Sequence, residues 1–89
     1  MQNNNNITIL KFFGAWCSPC KAISPIVDAV AKELNLNVIP MDVDKEEEIT
    51  SKYNIRSVPT LVFLKGDKEV NRHVSIITKE KLIELVKSL

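Results

Sequence analysis

The chain has no long apolar run, no large excess of charge of one sign, and few cysteine or histidine residues. No stretch reaches the roughly 18 apolar residues that a membrane-spanning helix needs. Its 12 basic and 11 acidic residues give a formal net charge of +1, which offers no electrostatic attraction to nucleic acid or to a membrane surface. Two cysteines and one histidine are also too few for a closed zinc site, which normally takes four ligands.

The N-terminal residues give a poor secretory signal. They contain no Lys or Arg, and the apolar run that follows is interrupted by Lys11 and lacks a small-residue cleavage site. We therefore expect a cytoplasmic protein, where a close cysteine pair is more often catalytic or metal-binding than structural. The length of 89 residues, with 45% hydrophobic and 26% charged residues, indicates one small globular domain.

The two cysteines stand close together, in the segment Trp16-Cys17-Ser18-Pro19-Cys20. A strand-like run precedes the pair and a helix-like run follows it. Two thiols at this spacing can close a small disulfide or open to a dithiol with little backbone movement. A helix start supplies unpaired N–H groups and a partial positive charge, which favour a thiolate on the first cysteine. This context indicates a redox-active pair.

Other interpretations of the pair stay open at this point. One is a structural disulfide, and another is a zinc or iron–sulfur site that bridges two subunits. His73 is the only other candidate soft ligand, and we interpret it as a surface strand residue. The acidic stretch from Asp42 to Glu48 lacks the glycine of a calcium loop, because Glu47 stands in that place. We expect no metal and no cofactor.

Hydrophobic periodicity predicts the order β-α-β-α-β-β-α. The predicted strands are residues 7–13, 37–43, 60–64 and 69–74, and the predicted helices are residues 19–34, a short segment that ends near 53, and 79–89. Asp44 is the expected cap of the short helix, which is expected to bury Ile49 and Tyr53, and Thr78 is the expected cap of the last helix.

The connections between these elements predict a sheet with the order second, first, third and fourth strand. Because helices lie in the first two crossovers, we expect parallel pairing there, and the final hairpin adds an antiparallel strand. Pro40 favours an edge position for the second strand, since proline has no N–H to offer a neighbour.

Over residues 7–89 the chain resembles the thioredoxins. The matching segments are residues 12–21 (FFGAWCSPCK), Pro25 within the first helix, Val43-Asp44, residues 53–60 (YNIRSVPT) and Lys65-Gly66. The resemblance implies an α/β, thioredoxin-like domain at residues 7–89 with a four-stranded mixed sheet flanked by helices. Residues 1–6, which are mostly asparagine, are then expected to form a disordered tail.

The resemblance also implies the chemistry of a protein-disulfide reductase without a cofactor. Cys17 is then the nucleophile, and Cys20 resolves the mixed disulfide. Val58 and Pro59 are expected to share a cis bond that faces the disulfide and aims the Val58 backbone at an extended substrate. The further expected substrate contacts are Trp16, Ser18, Pro19 and Ser75. The implied partners are disulfide-containing proteins and a thioredoxin reductase, and the implied state is a monomer that binds neither nucleic acid nor membrane.

The chain departs from the family pattern in four places. Only six residues precede the first strand, so we expect the family's usual N-terminal strand and helix to be absent. Ser18 and Ser75 replace glycines, and Lys11 replaces the buried acid beneath the active site. If buried, Lys11 is a candidate to tune the acidity of the Cys20 thiol. Because the missing elements leave this side less covered, we expect its stem instead to carry the amine into water.

Two rival functions are considered, of which the second belongs to a different functional class. A glutaredoxin-like, glutathione-dependent enzyme fits the size, but Ser18-Pro19 replaces the expected Pro-Tyr and no paired glycines follow Pro59. A binding module within a larger complex is the second rival. Cellular function that survives replacement of both cysteines by serine favours that module.

Overall fold

The computed structural model of the protein describes residues 6–89. The elements are β1 (Ile7–Phe13), α1 (Ser18–Leu34), β2 (Asn37–Asp42), α2 (Glu47–Lys52), β3 (Thr60–Lys65), β4 (Lys68–Val74) and α3 (Lys79–Lys87). This confirms the predicted element order. Most of the predicted tail, residues 1–5, lies outside the described part. Asn6 lies in a turn, and its carbonyl oxygen accepts a hydrogen bond of 2.9 Å from the Gly66 amide.

The four strands form one mixed sheet in the predicted order β2-β1-β3-β4. β1 and β2 are parallel, as expected, but β3 runs antiparallel to β1, so the prediction of a second parallel crossover is wrong. The connection between β2 and β3, residues 43–59, contains only the 6-residue α2, which spans about 9 Å at 1.5 Å per residue. β1 has 7 residues and extends about 23 Å at 3.3 Å per residue, so α2 does not carry the chain back along the strands, and the chain re-enters the sheet at the end that it left.

β2 is an edge strand in the described sheet, as the proline within it suggested. Pro40 lies directly opposite Lys11 in the parallel register. It is exposed, and its missing N–H leaves this position of the strand without a donor.

The core lies on both faces of the sheet. On one face, α1 and α3 cover β1 and β3; the buried members of this cluster are Ile9, Ile23, Val27, Val30, Leu61, Phe63, Ile77, Leu82 and Val86. The other face buries Leu10, Phe12, Val62 and Leu64. The strict alternation along β1 therefore assigns Lys11, like Ile9, to the face that α1 covers.

The start of α2 differs from the prediction. The N-cap is Glu46, which makes no side-chain capping bond, so the assignment of Asp44 as the cap is wrong. Asp42 holds the preceding residues in a turn, which delays the start of the helix. Its carboxylate accepts a hydrogen bond from the Asp44 amide at 2.9 Å, and its carbonyl accepts one from the Glu46 amide at 2.7 Å. Ile49 and Tyr53 are half-buried rather than buried, since they pack at the margin of the Phe12 cluster.

The last helix begins as predicted, with Thr78 as its cap. The Thr78 side chain accepts the Lys81 amide at 3.2 Å. No helix within residues 6–89 is long and apolar enough to cross a membrane.

Arg72 ties β4 to the end of α2. Its guanidinium donates to both carboxylate oxygens of Glu69, at 2.6 and 3.0 Å, and to the Tyr53 carbonyl at 3.0 Å. The hydrogen bonds from Arg72 lower the pKa of the Glu69 carboxyl, and they outweigh burial, which raises it. The same pair raises the pKa of Arg72.

We expect Glu69→Gln to destabilise the protein at neutral pH by no more than about 1 kcal/mol, because the ion pair is at the surface. Because the pKa of Glu69 in the folded state lies below its ordinary value of 4.5, the ion pair stabilises the protein at pH values above 4.5. This stabilisation disappears as the pH falls through the folded-state pKa. Urea denaturation of parent and variant at pH 7 and pH 3 measures the difference. Glu84→Gln is the matched control, because the Glu84 side chain is 76% exposed and its contact with Lys81 is longer, at 3.7 Å. A difference that grows toward low pH contradicts the assignment.

Candidate active site

The cysteine pair lies where β1 passes into α1. β1 ends at Phe13, and the turn that follows is closed by a hydrogen bond of 3.0 Å from the Cys17 amide to the Gly14 carbonyl. Cys17 is the N-cap of α1, and Cys20 lies in the first helical turn. A disulfide joins the two residues, whose Cα atoms are 5.3 Å apart.

The sulfur of Cys17 caps the helix. It accepts a hydrogen bond of 3.2 Å from the Cys20 amide, in the place that a serine or aspartate oxygen usually takes. Pro19 lies in the first turn, where its missing N–H costs little. The first turn contains no acidic residue. The positive end of α1 therefore acts on the Cys17 sulfur and favours its thiolate form after reduction.

Exposure does not distinguish the two cysteines, since each is 5% exposed in the disulfide form. Their surroundings do differ. The Cys17 sulfur lies 3.8 Å from the Val58 carbonyl oxygen. Cys20 lines a partly open pocket of about 250 Å³ beneath the disulfide, together with Lys11, Ser24 and Pro59.

The Val58–Pro59 peptide bond is cis, which confirms the prediction. The surrounding backbone is held by two hydrogen bonds. The Thr60 hydroxyl donates to the Ser57 carbonyl at 2.7 Å, and the Ser75 amide donates to the Pro59 carbonyl at 2.9 Å. Val58 is half-buried, and its carbonyl oxygen is the atom that lies 3.8 Å from the Cys17 sulfur.

Trp16 lies on the surface, with 68% of its area exposed. Its indole N–H donates to the Asp44 carboxylate at 2.9 Å. A Cβ atom at Gly14 would lie 2.6 Å from the indole ring, so only glycine permits this ring position. Sequence reasoning missed the contribution of Gly14 and assigned Asp44 to a helix cap instead.

The remaining predicted contact residues are also accessible around the pair. Ser18, Pro19 and Ser75 are exposed, and Ser75 is bonded to Pro59. Its neighbours Val74 and Ile76 are 50% and 60% exposed, which sequence reasoning did not single out. Two exposed aliphatic residues therefore flank Ser75, whose amide donates to the Pro59 carbonyl.

Lys11 is buried, so the expectation that its amine reaches water is wrong. The residue is 8% exposed, and its ammonium donates to the Ser24 hydroxyl at 2.6 Å. The Asp28 carboxylate lies 3.4 Å from the same nitrogen. The long stem turns toward α1 because the helix offers these two oxygens and its apolar face covers the strand.

His73 does not join the site. It is half-buried in β4, and its Nε2 lies 3.0 Å from the Ile76 carbonyl oxygen. Among residues 6–89, no group of three or more His, Cys, Asp or Glu side chains is arranged to hold a metal ion.

Comparison with known proteins places this site in a family. The thioredoxin family model matches residues 1–88. A thioredoxin of Chlamydia trachomatis is 35% identical over 83 residues, which cover 92% of this chain and 81% of that protein. A thioredoxin of Mycoplasmoides gallisepticum is 36% identical over 86 residues, covering 96% and 86%. The solved structure of a mutant thioredoxin from Halobacterium salinarum superposes with a TM-score of 0.89 at 31% identity, covering 94% of this chain and 74% of that one.

Ser75 has a φ of 86°, a left-handed conformation that suits glycine better than serine. We expect Ser75→Gly to raise the free energy of unfolding by up to about 1 kcal/mol, because relief of the steric cost exceeds the added entropy of the unfolded chain. Chemical denaturation measures the change. Ser51→Gly, in α2, makes the same chemical change at a helical position and is expected to destabilise the protein by about 0.5 kcal/mol. Equal destabilisation by both substitutions contradicts this explanation.

Proposed function

Because the chain belongs to the thioredoxin family and is a thiol–disulfide oxidoreductase, we propose that Cys17 is its attacking thiol and Cys20 its resolving thiol. One observation carries the assignment: the Cys17 sulfur caps α1 and accepts the Cys20 amide at 3.2 Å. A sulfur that accepts from the helix start is stabilised as an anion, and the thiolate is the nucleophile in disulfide exchange. Cys20 has no such position, because it lies within the first turn.

The reaction then proceeds in two exchanges. The Cys17 thiolate attacks one sulfur of a substrate disulfide, forms a mixed disulfide and releases the other substrate sulfur as a thiolate, which takes up a proton. Cys20 loses its proton and attacks the Cys17 sulfur of the mixed disulfide. The Cys17–Cys20 disulfide forms, and the second substrate thiol leaves. Two electrons pass from the protein dithiol to the substrate, and the oxidised product is the disulfide that the structure contains.

The substrate is proposed to bind as an extended segment across the cis-proline. The Val58 carbonyl lies 3.8 Å from the Cys17 sulfur and faces the same approach path. A carbonyl at this place can accept a backbone N–H from the segment that carries the substrate disulfide. The proposed contacts of the flanking side chains come from Trp16, Ser18, Pro19 and Ser75, which are exposed. Pro59 is buried and is proposed to support the segment from the wall of the pocket. Backbone hydrogen bonds and an apolar rim bind many sequences, which suits a reductase of several proteins.

Members of the thioredoxin family reduce disulfides in target proteins and are reduced in turn by thioredoxin reductase. We propose the same donor for this chain and a monomeric state in the cytoplasm, where the reducing environment allows the dithiol to be regenerated. The nearly balanced charge, +1 for the whole chain, supports protein substrates over nucleic acid or membrane lipid.

The two cysteine variants are expected to fail in different ways. Cys17→Ser abolishes disulfide reduction, because the nucleophile is gone. Cys20→Ser accumulates mixed disulfides with substrate proteins, because the first exchange takes place and the second does not. Mass spectrometry of complexes formed under non-reducing conditions measures both outcomes. Circular dichroism is the control that each variant retains the fold. Mixed disulfides that form only in Cys17→Ser reverse the two roles.

A further inference from the structure

Lys11 is a lysine in the interior of the sheet. It lies in the middle of β1 and is 8% exposed, whereas lysine is almost never buried unless it is paired. Its ammonium donates to the neutral Ser24 hydroxyl at 2.6 Å. The Asp28 carboxylate is 3.4 Å away and its side chain is 62% exposed to water, so this ion pair is weak. The positive charge of Lys11 is therefore only partly compensated by its partners.

The helix places this charge close to the second cysteine. Cys20, Ser24 and Asp28 follow one another at intervals of four residues along α1 and share one face of the helix. Lys11 contacts the second and third residues of this row. Lys11, Ser24 and Cys20 also line the same pocket of about 250 Å³.

The other groups around the pocket do not cancel the charge. β2 contributes Pro40, which lies opposite Lys11 and has no ionisable side chain. α1 contributes Lys21, so the charged residues among the described lining are both lysines. Pro59, which directly precedes β3, also lines the pocket and is likewise uncharged. Charges interact more strongly in such a partly buried, apolar setting than in water.

We propose that Lys11 is a positioning residue that holds a positive charge beside Cys20 and stabilises the Cys20 thiolate during resolution of the mixed disulfide. This inference rests on the proposed roles of the two cysteines. When Cys20 gives up its proton to solvent, the new anion forms in the pocket that Lys11 lines. The same charge stabilises any thiolate in the reduced pair, and it therefore favours the dithiol over the disulfide.

Removal of the charge tests the inference. In Lys11→Met and in Lys11→Gln, we expect the equilibrium constant for reduction of the protein disulfide by dithiothreitol to fall three- to tenfold. A tenfold fall makes the potential of this two-electron couple more negative by about 30 mV. The titration midpoint of the reduced thiols is expected to move upward. Lys11→Arg keeps the charge and is expected to resemble the parent.

Lys32→Met is the matched control, because it removes the same charge from an exposed position three helical turns beyond Cys20, and it is expected to match the parent. Lys11→Gln retains a donor for Ser24, so it decides the question if Lys11→Met fails to fold. Unchanged equilibrium constants in Lys11→Gln overturn the inference, as does a shift in Lys11→Arg equal to that in Lys11→Gln. A parent protein with no reversible dithiol–disulfide couple overturns the proposed function instead.

Discussion

The start of α1 is the constraint on which the site depends. Its first amides need acceptors, and the chain supplies the sulfur of Cys17 rather than an oxygen. The position of that sulfur follows from β1, because the Cys17 amide bonds to the Gly14 carbonyl directly after the strand ends. The buried apolar face of α1, which includes Ile23 and Val27, fixes the helix against the sheet. The packing of the core thereby determines where the Cys17 sulfur lies.

The direction of β3 brings Val58 and Pro59 to the same end of the sheet as the cysteine pair. Because β3 is antiparallel to β1, its first residue, Thr60, pairs with Phe12 near the end of β1. Pro59 therefore arrives beside the disulfide instead of at the far end of the sheet. β4 returns to this end of the sheet in turn, and its end is bonded to Pro59 through the Ser75 amide. The shortness of α2 thus has a structural consequence, because a 6-residue helix does not return the chain to the opposite end of the strands.

Local sequence patterns were sufficient for the elements and for the cysteine pair, because periodicity and helix-start chemistry act within one segment. The cis bond at Pro59 was predicted through the family resemblance. Contacts between distant segments were not predictable in this way. The direction of β3 depends on the whole connection, and the bond from Trp16 to Asp44 depends on how two loops meet. Lys11 was expected to reach water, because nothing in its own segment shows that Ser24 and Asp28 lie within its reach.

The central claim is that the helix start makes Cys17 the thiolate of the reduced pair. The most direct test is the rate of alkylation of each cysteine by limiting iodoacetamide between pH 5 and pH 10, followed by peptide mass spectrometry. We expect Cys17 to be modified first, with a midpoint below the value of about 8.5 for an ordinary thiol. Cys20 is predicted to react more slowly and at higher pH. Modification of Cys20 before Cys17, or equal midpoints near 8.5, would contradict the account.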